Sequence, residues 1–259
     1  MIDHLQPLSK RICRPGTPGF RTIVRGVLAL TISMVLAAGG LMVHRQAEAQ
    51  TPPAIQSTLV ATQGLSGVPA GRRWVARYEH QLNSEHQHAG GFMYVPRGSV
   101  RLLMEGEDTA FTEGQGIWIP ESTPHTHKID TDGQVWTFTL ETAAELAAAP
   151  VTFNSDEIKT VNPIPHLARL SADTFPPGAS TPPHRHYGPE FVLIREGQYE
   201  LTSRGSARPY ASGQGYTMEP TVPHLLRNAS DGSSRLFNVS LVPLSRQGGE
   251  AVAREALGQ

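Results

Sequence analysis

Residues 178–197 read GASTPPHRHYGPEFVLIREG and residues 213–228 read GQGYTMEPTVPHLLRN. The same marks occur earlier in the chain, as His86-Gln87-His88, Gly98, Gly114-Gln115-Gly116 and His125. Gly98 to Gly114 and Gly197 to Gly213 both span 16 residues, and Gly114 to His125 and Gly213 to His224 both span 11. Two halves of the chain are therefore copies of one unit. The correspondence breaks once: His88 to Gly98 is 10 residues, whereas His186 to Gly197 is 11. Aligning Phe92 with Phe191 sets Gly91 against Glu190, so the difference falls at or beside that carboxylate.

Around these marks lie short runs rich in β-branched and aromatic residues, bounded by Pro and Gly. They include 74–78, 99–103, 116–119 and 135–140 in the first half, and 191–194, 198–201 and 236–242 in the second. A short helix is expected from Thr142 to Ala149, ended by Pro150. With 25 Gly and 21 Pro in 259 residues, the chain reads as many short strands with tight turns rather than a helical bundle.

Before the repeats, five basic residues from Lys10 to Arg25 precede an uncharged apolar run from Val27 to Val43, and Ala47-Glu48-Ala49 follows. This is the pattern of a general secretory signal cleaved after Ala49, with an uncleaved anchor as the alternative. Either way the rest is expected outside the cytoplasm, secreted or periplasmic. Residues 1–49 hold six basic and two acidic side chains, leaving 16 basic and 21 acidic from Gln50 onward, a net charge of −5. An acidic body of this kind is not expected to bind nucleic acid through a basic surface. Cys13, the only cysteine, would leave with the signal. The mature chain would then hold metal only through His and carboxylate. The expected organisation is a signal (1–49), a flexible leader (50–70), a first unit (71–149), a second unit (150–245) and a polar tail (246–259).

Residues two apart on a strand share a face, so His184 and His186 project together. Glu190 can return its carboxylate to that face, and His224 adds a third imidazole from a later strand. Such a set suits Fe, Mn, Ni, Cu or Zn and suits Ca or Mg poorly. Six-coordinate binding would leave two positions open for substrate, water or dioxygen.

The pattern Gly178-x5-His184-x-His186-x3-Glu190-x6-Gly197 is similar to the first motif of the cupin superfamily. Gly213-x5-Glu219-x-Thr221-x2-His224-x3-Asn228 resembles the second, with Glu219 in place of the usual Pro and Thr221 in place of the usual Gly. The first half resembles a degenerate copy, with His80 for the opening Gly, Gly91 for the Glu and Ile129 for the Asn. The resemblance covers residues 70–245. It implies an all-β bicupin: two antiparallel jelly-roll barrels with one intact metal site at His184, His186, Glu190 and His224. His86, His88 and His125 form a second candidate site without a carboxylate, which His127 or solvent would have to complement; a structural barrel is the alternative. Asn228 is expected either to orient His224 or a substrate, or to form a turn. His80 and His166 carry no assigned role.

By the same resemblance, the expected activity is that of a metal-dependent dioxygenase. Its substrate would be a small enolisable, phenolic or organic-acid compound, and Glu190 would act as both ligand and base. A redox-neutral decarboxylase, lyase or isomerase is the alternative enzyme, and a metal- or ligand-binding module the alternative without catalysis. The expected cofactor is one divalent transition metal. The expected partner is a small molecule, with no membrane contact once the signal is removed and a homodimer through exposed strand edges as the candidate assembly.

Overall fold

The computed structural model describes residues 54–251 apart from 69, 80–82, 148–149, 160–163 and 246–248. The segment read as a signal, and His80, lie outside the described residues. Among the described residues no helix is long and apolar enough to cross a membrane. The first unit contains β2 (Arg73–Glu79), β3 (Gly91–Arg97), β4 (Ser99–Met104), β5 (Glu107–Thr112), β6 (Gly116–Ile119), β7 (His125–Ile129) and β8 (Gln134–Glu141). The second contains β10 (His166–Phe175), β11 (His184–His186), β12 (Glu190–Glu196), β13 (Gln198–Ser203), β14 (Ser206–Ala211), β15 (Gly215–Met218), β16 (His224–Asn228) and β17 (Ser234–Pro243). Three further strands are β1 (Gln56–Leu65), β9 (Phe153–Asn154) and β18 (Gly249–Ala251).

The first barrel combines a sheet ordered β6-β3-β8-β2-β9 with one ordered β5-β4-β7; the second combines β1-β10-β17-β12-β15 with β14-β13-β16-β11-β18. All pairings between these strands are antiparallel. The helix expected at 142–149 is one turn, α1 (Ala143–Leu146), with a reciprocal capping box between Thr142 and Glu145.

The barrels trade their leading strands. β1, which precedes the first barrel, pairs with β10 of the second along its length, from Gln56↔Thr174 to Leu65↔His166. β9, which precedes the second barrel, pairs with β2 of the first. The stretch expected to be a flexible leader is thus in large part a sheet strand, and the tail expected to be merely polar pairs with β11 through residues 249–251. The third residue of each Gly-Gln-Gly mark sits where an exchanged strand crosses. A Cβ at Gly116 would come 2.6 Å from Val60, and one at Gly215 would come 2.9 Å from Phe153; carbonyls of Met93 and Val192 are closer still. Glycine is required at both positions because two layers of backbone and side chain meet there.

The runs 92–95 and 191–194 do not alternate polar with apolar because both of their faces are covered. Met93 and Val95, or Val192 and Ile194, fill their own barrel. Phe92 and Tyr94, with Phe191 and Leu193, face a shared core between the barrels that also contains Trp74, Phe138, Phe237 and Leu241. Phe237 lies at its centre, with ring centroids 5.2 Å from Phe138, 5.4 Å from Tyr94 and 5.5 Å from Trp136. Emptying such a position costs about 3–5 kcal/mol, so the barrels are held together by packing as well as by strand exchange.

Candidate metal centres

In the second barrel, β11 and β16 pair at His184↔His224, which brings imidazoles 40 residues apart in sequence face to face. Ring centroids are 4.3 Å apart for His184 and His224, 4.7 Å for His184 and His186, and 5.3 Å for His186 and His224. The three offer ligand nitrogens that all lie within 4.8 Å of one another. Glu190, the first residue of β12, places Oε1 3.5 Å from Nε2 of His186 and Oε2 3.3 Å from Nε2 of His224. Nδ1 of His184 donates to the Pro182 carbonyl (2.8 Å) and Nδ1 of His224 to the Val222 carbonyl (3.0 Å). A carbonyl only accepts, so each of these rings presents Nε2 to the other ligands.

Burial pushes the pKa of His184 and His186 down, which leaves their lone pairs available. Burial acts the other way on Glu190, but His224, His186 and His184 outweigh it and hold the carboxyl below its ordinary range. Burial also opposes charge on His224, yet Glu190 raises its pKa. Nε2 of His186 and Oε2 of Glu190 are buried without a hydrogen-bond partner. Orphaned groups of this kind cost about 1–3 kcal/mol each, and a divalent transition ion would satisfy both. The donor set fits such an ion. The cavity beside it is about 90 Å³, lined by Asp173, Tyr216, Asn238 and apolar side chains.

Asn238 was not singled out from sequence, yet its Nδ2 donates to Oε1 of Glu190 at 2.5 Å. Asn228 has the turn role instead of the orienting one. Its Nδ2 donates to the carbonyls of Phe175, Pro176 and Gly232, and its Oδ1 accepts from Ser230 and Ser234.

The first barrel gathers His86, His88 and His125 in the same way, with ligand nitrogens within 4.8 Å of one another. His86 and His125 exchange backbone hydrogen bonds of 2.9 Å, and their ring centroids are 4.3 Å apart. Gly91 and Glu190 occupy the same register, opposite Thr139 and Ser240 respectively. A Cβ on Gly91 would lie 2.4 Å from the Phe138 carbonyl oxygen and 2.6 Å from the Thr139 Cα, so β3 and β8 leave no room for a side chain there. Burial holds the pKa of His125 down at about 4.

Two charged residues of β2 complete this site and escaped the sequence reading. Glu79 accepts from Nδ1 of His127 at 3.0 Å and from Thr137 at 3.2 Å. Arg77 makes a two-pronged pair with Glu141, Nη2 donating to Oε2 at 2.8 Å. A cavity of about 450 Å³ opens beside them, lined by Arg77, Glu79, His86, His88, Thr137 and Glu141 among others. The signal that could have found them is alternation. On β2, Trp74 and Ala76 take one face, so Val75, Arg77 and Glu79 share the other.

Residues 173–240 match the cupin domain family, Cupin_2. Among solved structures, AerE from Microcystis aeruginosa is 15% identical, with 71% of this chain and 99% of that one covered and a TM-score of 0.49. Oxalate decarboxylase from Bacillus subtilis, described for its Mn(II) centres, is 11% identical, with 76% and 77% covered and a TM-score of 0.51. A cupin 2 conserved barrel domain protein from Leptotrichia buccalis is 12% identical over 74% of this chain and 90% of its own, with a TM-score of 0.40. No curated protein sequence matches. Residues 173–240 thus carry the cupin domain match, and the described residues have a cupin-type, bicupin-like fold. They include two His triads placed so that each could hold a metal ion.

Proposed function

We propose that this chain is a metal-dependent enzyme of the dioxygenase type, acting outside the cytoplasm on a small enolisable, phenolic or organic-acid substrate. The observation that carries this reading is the meeting of His184, His186, His224 and Glu190, with buried ligand atoms on His186 and Glu190 that no protein group satisfies. A bound Fe, Mn, Ni or Cu ion would polarise a coordinated substrate and, where its redox state can change, engage dioxygen; Zn would supply only the first. His184 and His224 orient through their Nδ1 bonds to backbone carbonyls. Glu190 is clamped at Oε1 by Asn238, so Oε2 is the atom that would ligate the ion or, released from it, accept a proton from a hydroxyl or enolisable carbon. Tyr216, Val192, Leu226 and Leu236 narrow the space and limit water.

The redox-neutral alternative draws on the small size of that cavity, about 90 Å³. Such a space suits a short organic acid better than an aromatic ring together with dioxygen. One experiment separates the readings: the chain loaded in turn with Fe, Mn, Ni and Cu is given phenolic, enolisable and short carboxylic substrates with and without air. Oxygen uptake abolished by His184→Ala supports the dioxygenase. Carbon dioxide release or isomerisation under anaerobic conditions replaces it with the redox-neutral enzyme. Saturable binding with no turnover under either condition overturns both in favour of a binding module.

A further inference from the structure

A fourth imidazole, His127, stands beside the His86, His88 and His125 triad in the first barrel, outside the set whose nitrogens all lie within 4.8 Å of one another. His127 lies two residues beyond His125 on β7 and is fully buried. Its ring centroid is 4.9 Å from that of His125 and 5.1 Å from that of His86. The Nε2 atoms of His86, His88, His125 and His127 are all buried and all lack a hydrogen-bond partner. The outward nitrogens are engaged: Nδ1 of His86 with Ser84, of His88 with Ala89, of His125 with Thr123 and of His127 with Glu79. Each ring thus turns its unsatisfied nitrogen away from its anchor. Four orphaned nitrogens in one barrel interior are a heavy cost unless a cation meets them.

We propose that the first barrel is a metal centre of different design, in which His86, His88, His125 and His127 hold one divalent transition ion and Glu79 behind His127 supplies the missing negative charge. The register explains the trade. Where the second barrel has Glu190, the first has Gly91 with no space for a side chain. Where the first has His127, opposite Leu102, the second has buried Leu226, opposite Leu201. The ligand lost from the strand β3 is regained from β7, two residues past the shared histidine. Glu79 also has a counterpart: it faces Val135 as Asp173 faces Leu236. Asp173 is bonded by Ser57 and Ser171 and not by an imidazole, whereas Glu79 is bonded to His127. A carboxylate on the far nitrogen of a ligating imidazole orients the ring and raises its basicity. The 450 Å³ cavity at His86 and His88 keeps this centre within reach of small molecules.

The proposal is independent of which reaction the second barrel performs, and its test counts ions instead of turnovers. The chain is stripped with chelator and titrated with Cu(II), whose electron paramagnetic resonance resolves nitrogen ligands. The expected result is two ions per chain, one ion in the His184→Ala/His186→Ala variant, and a nitrogen-rich signal in that remaining site. On either background His127→Ala weakens one equivalent by on the order of 100-fold and removes one nitrogen from its spectrum. Glu79→Gln keeps the stoichiometry and weakens the same equivalent by about tenfold, within the range for partners behind a ligand. One ion in the wild-type chain overturns the proposal, as does a His127→Ala variant with unchanged affinity and nitrogen count. If the double variant misfolds by circular dichroism, the wild-type count and the two single variants still decide. Two bound ions with no turnover of any substrate would refute the function proposed above and leave this centre standing.

Discussion

The two barrels share strand order, the crossing glycines and a pair of facing histidines, yet they spend their charged residues differently. The second barrel places Glu190 among its imidazoles, where it touches His186 and His224, and clamps it with Asn238. The first places Glu79 behind an imidazole and uses a second charged pair, Arg77 with Glu141, to line a cavity several times larger. The two copies thus keep the backbone positions that bring strands together, while the carboxylate that meets an imidazole stands on β12 in the second barrel and on β2 in the first. A lost motif residue is therefore a poor measure of a lost site; what counts is whether another strand delivers the same charge.

The sharpest way to break this comparison is to force the barrels to match. In Gly91→Glu, the new Cβ meets the backbone of Phe138 and Thr139 at 2.4–2.6 Å, so β3 must part from β8. We expect a loss of about 3 kcal/mol or more, a magnitude reserved for disrupted cores, read as a fall in denaturant midpoint. Wild-type stability with tighter metal binding would mean that the first barrel had merely lost its carboxylate. Next in size is Glu190→Gln, which keeps the Asn238 contact feasible but removes the charge. Metal affinity of the second barrel should fall by roughly 10- to 100-fold, about 1.4–2.7 kcal/mol, while the first barrel's is unchanged. Calorimetric titration checks both, and an equal effect on the two equivalents would show that the sites are coupled.

Acid should also tell the barrels apart in the metal-free chain. Burial depresses the pKa of His125 to about 4 from 6.5, so the stability tied to its neutral form is present above 6.5 and is lost as pH falls toward 4. His224 has a raised pKa, so its contribution is present below 6.5 and is lost as pH rises through the folded value. Glu190 has a lowered pKa and contributes above its ordinary 4.5. Burial depresses His184 and His186 as well, so both barrels lose stability as pH falls below 6.5. Only the second has the His224–Glu190 pair to oppose the loss, and hydrogen exchange should rise earlier in β7 than in β16. Simultaneous loss of protection in the two strands would show that the shared core around Phe237, and not the imidazoles, governs acid stability.

Much of the fold could be read from spacing because glycine positions are dictated by backbone geometry that both copies must keep. Gly116 and Gly215 stand under the exchanged strands, and no side chain substitutes for them. The two His triads were equally legible, since period-two alternation and an 11-residue return are properties of a single chain segment. What escaped was everything decided by pairing between distant strands. Residues 56–65 are mostly exposed, polar or small, so nothing local marks them as the partner of β10. Glu79 and Asn238 gain meaning only when β2 and β8, or β12 and β17, set which face looks inward. His127 was visible by alternation, but its role needed Glu79.

The smallest expected effect concerns the turn that sets the third histidine. The family resemblance implies Gly where Thr221 stands, and the backbone there still adopts the conformation Gly favours: φ is 64° at Thr221 and 59° at Ser122, its counterpart in the first barrel. The strain is tolerated because the turn ties the site together. The Thr221 N–H donates to the His186 carbonyl at 2.7 Å and that of Ser122 to the His88 carbonyl at 3.0 Å, so each turn fixes a ligand strand next to the histidine that follows. A left-handed conformation costs a β-branched residue about 1–2 kcal/mol, and glycine returns part of that through a more flexible unfolded chain. Thr221→Gly should therefore stabilise the chain by about 0.5–1 kcal/mol, roughly 1–4 °C in Tm, without changing the metal count. Ser122→Gly should gain less, because serine is not branched at Cβ. A drop in stability for Thr221→Gly would show instead that the threonine side chain supports the loop, and the difference between the barrels at this position would then be one of packing and not of backbone strain.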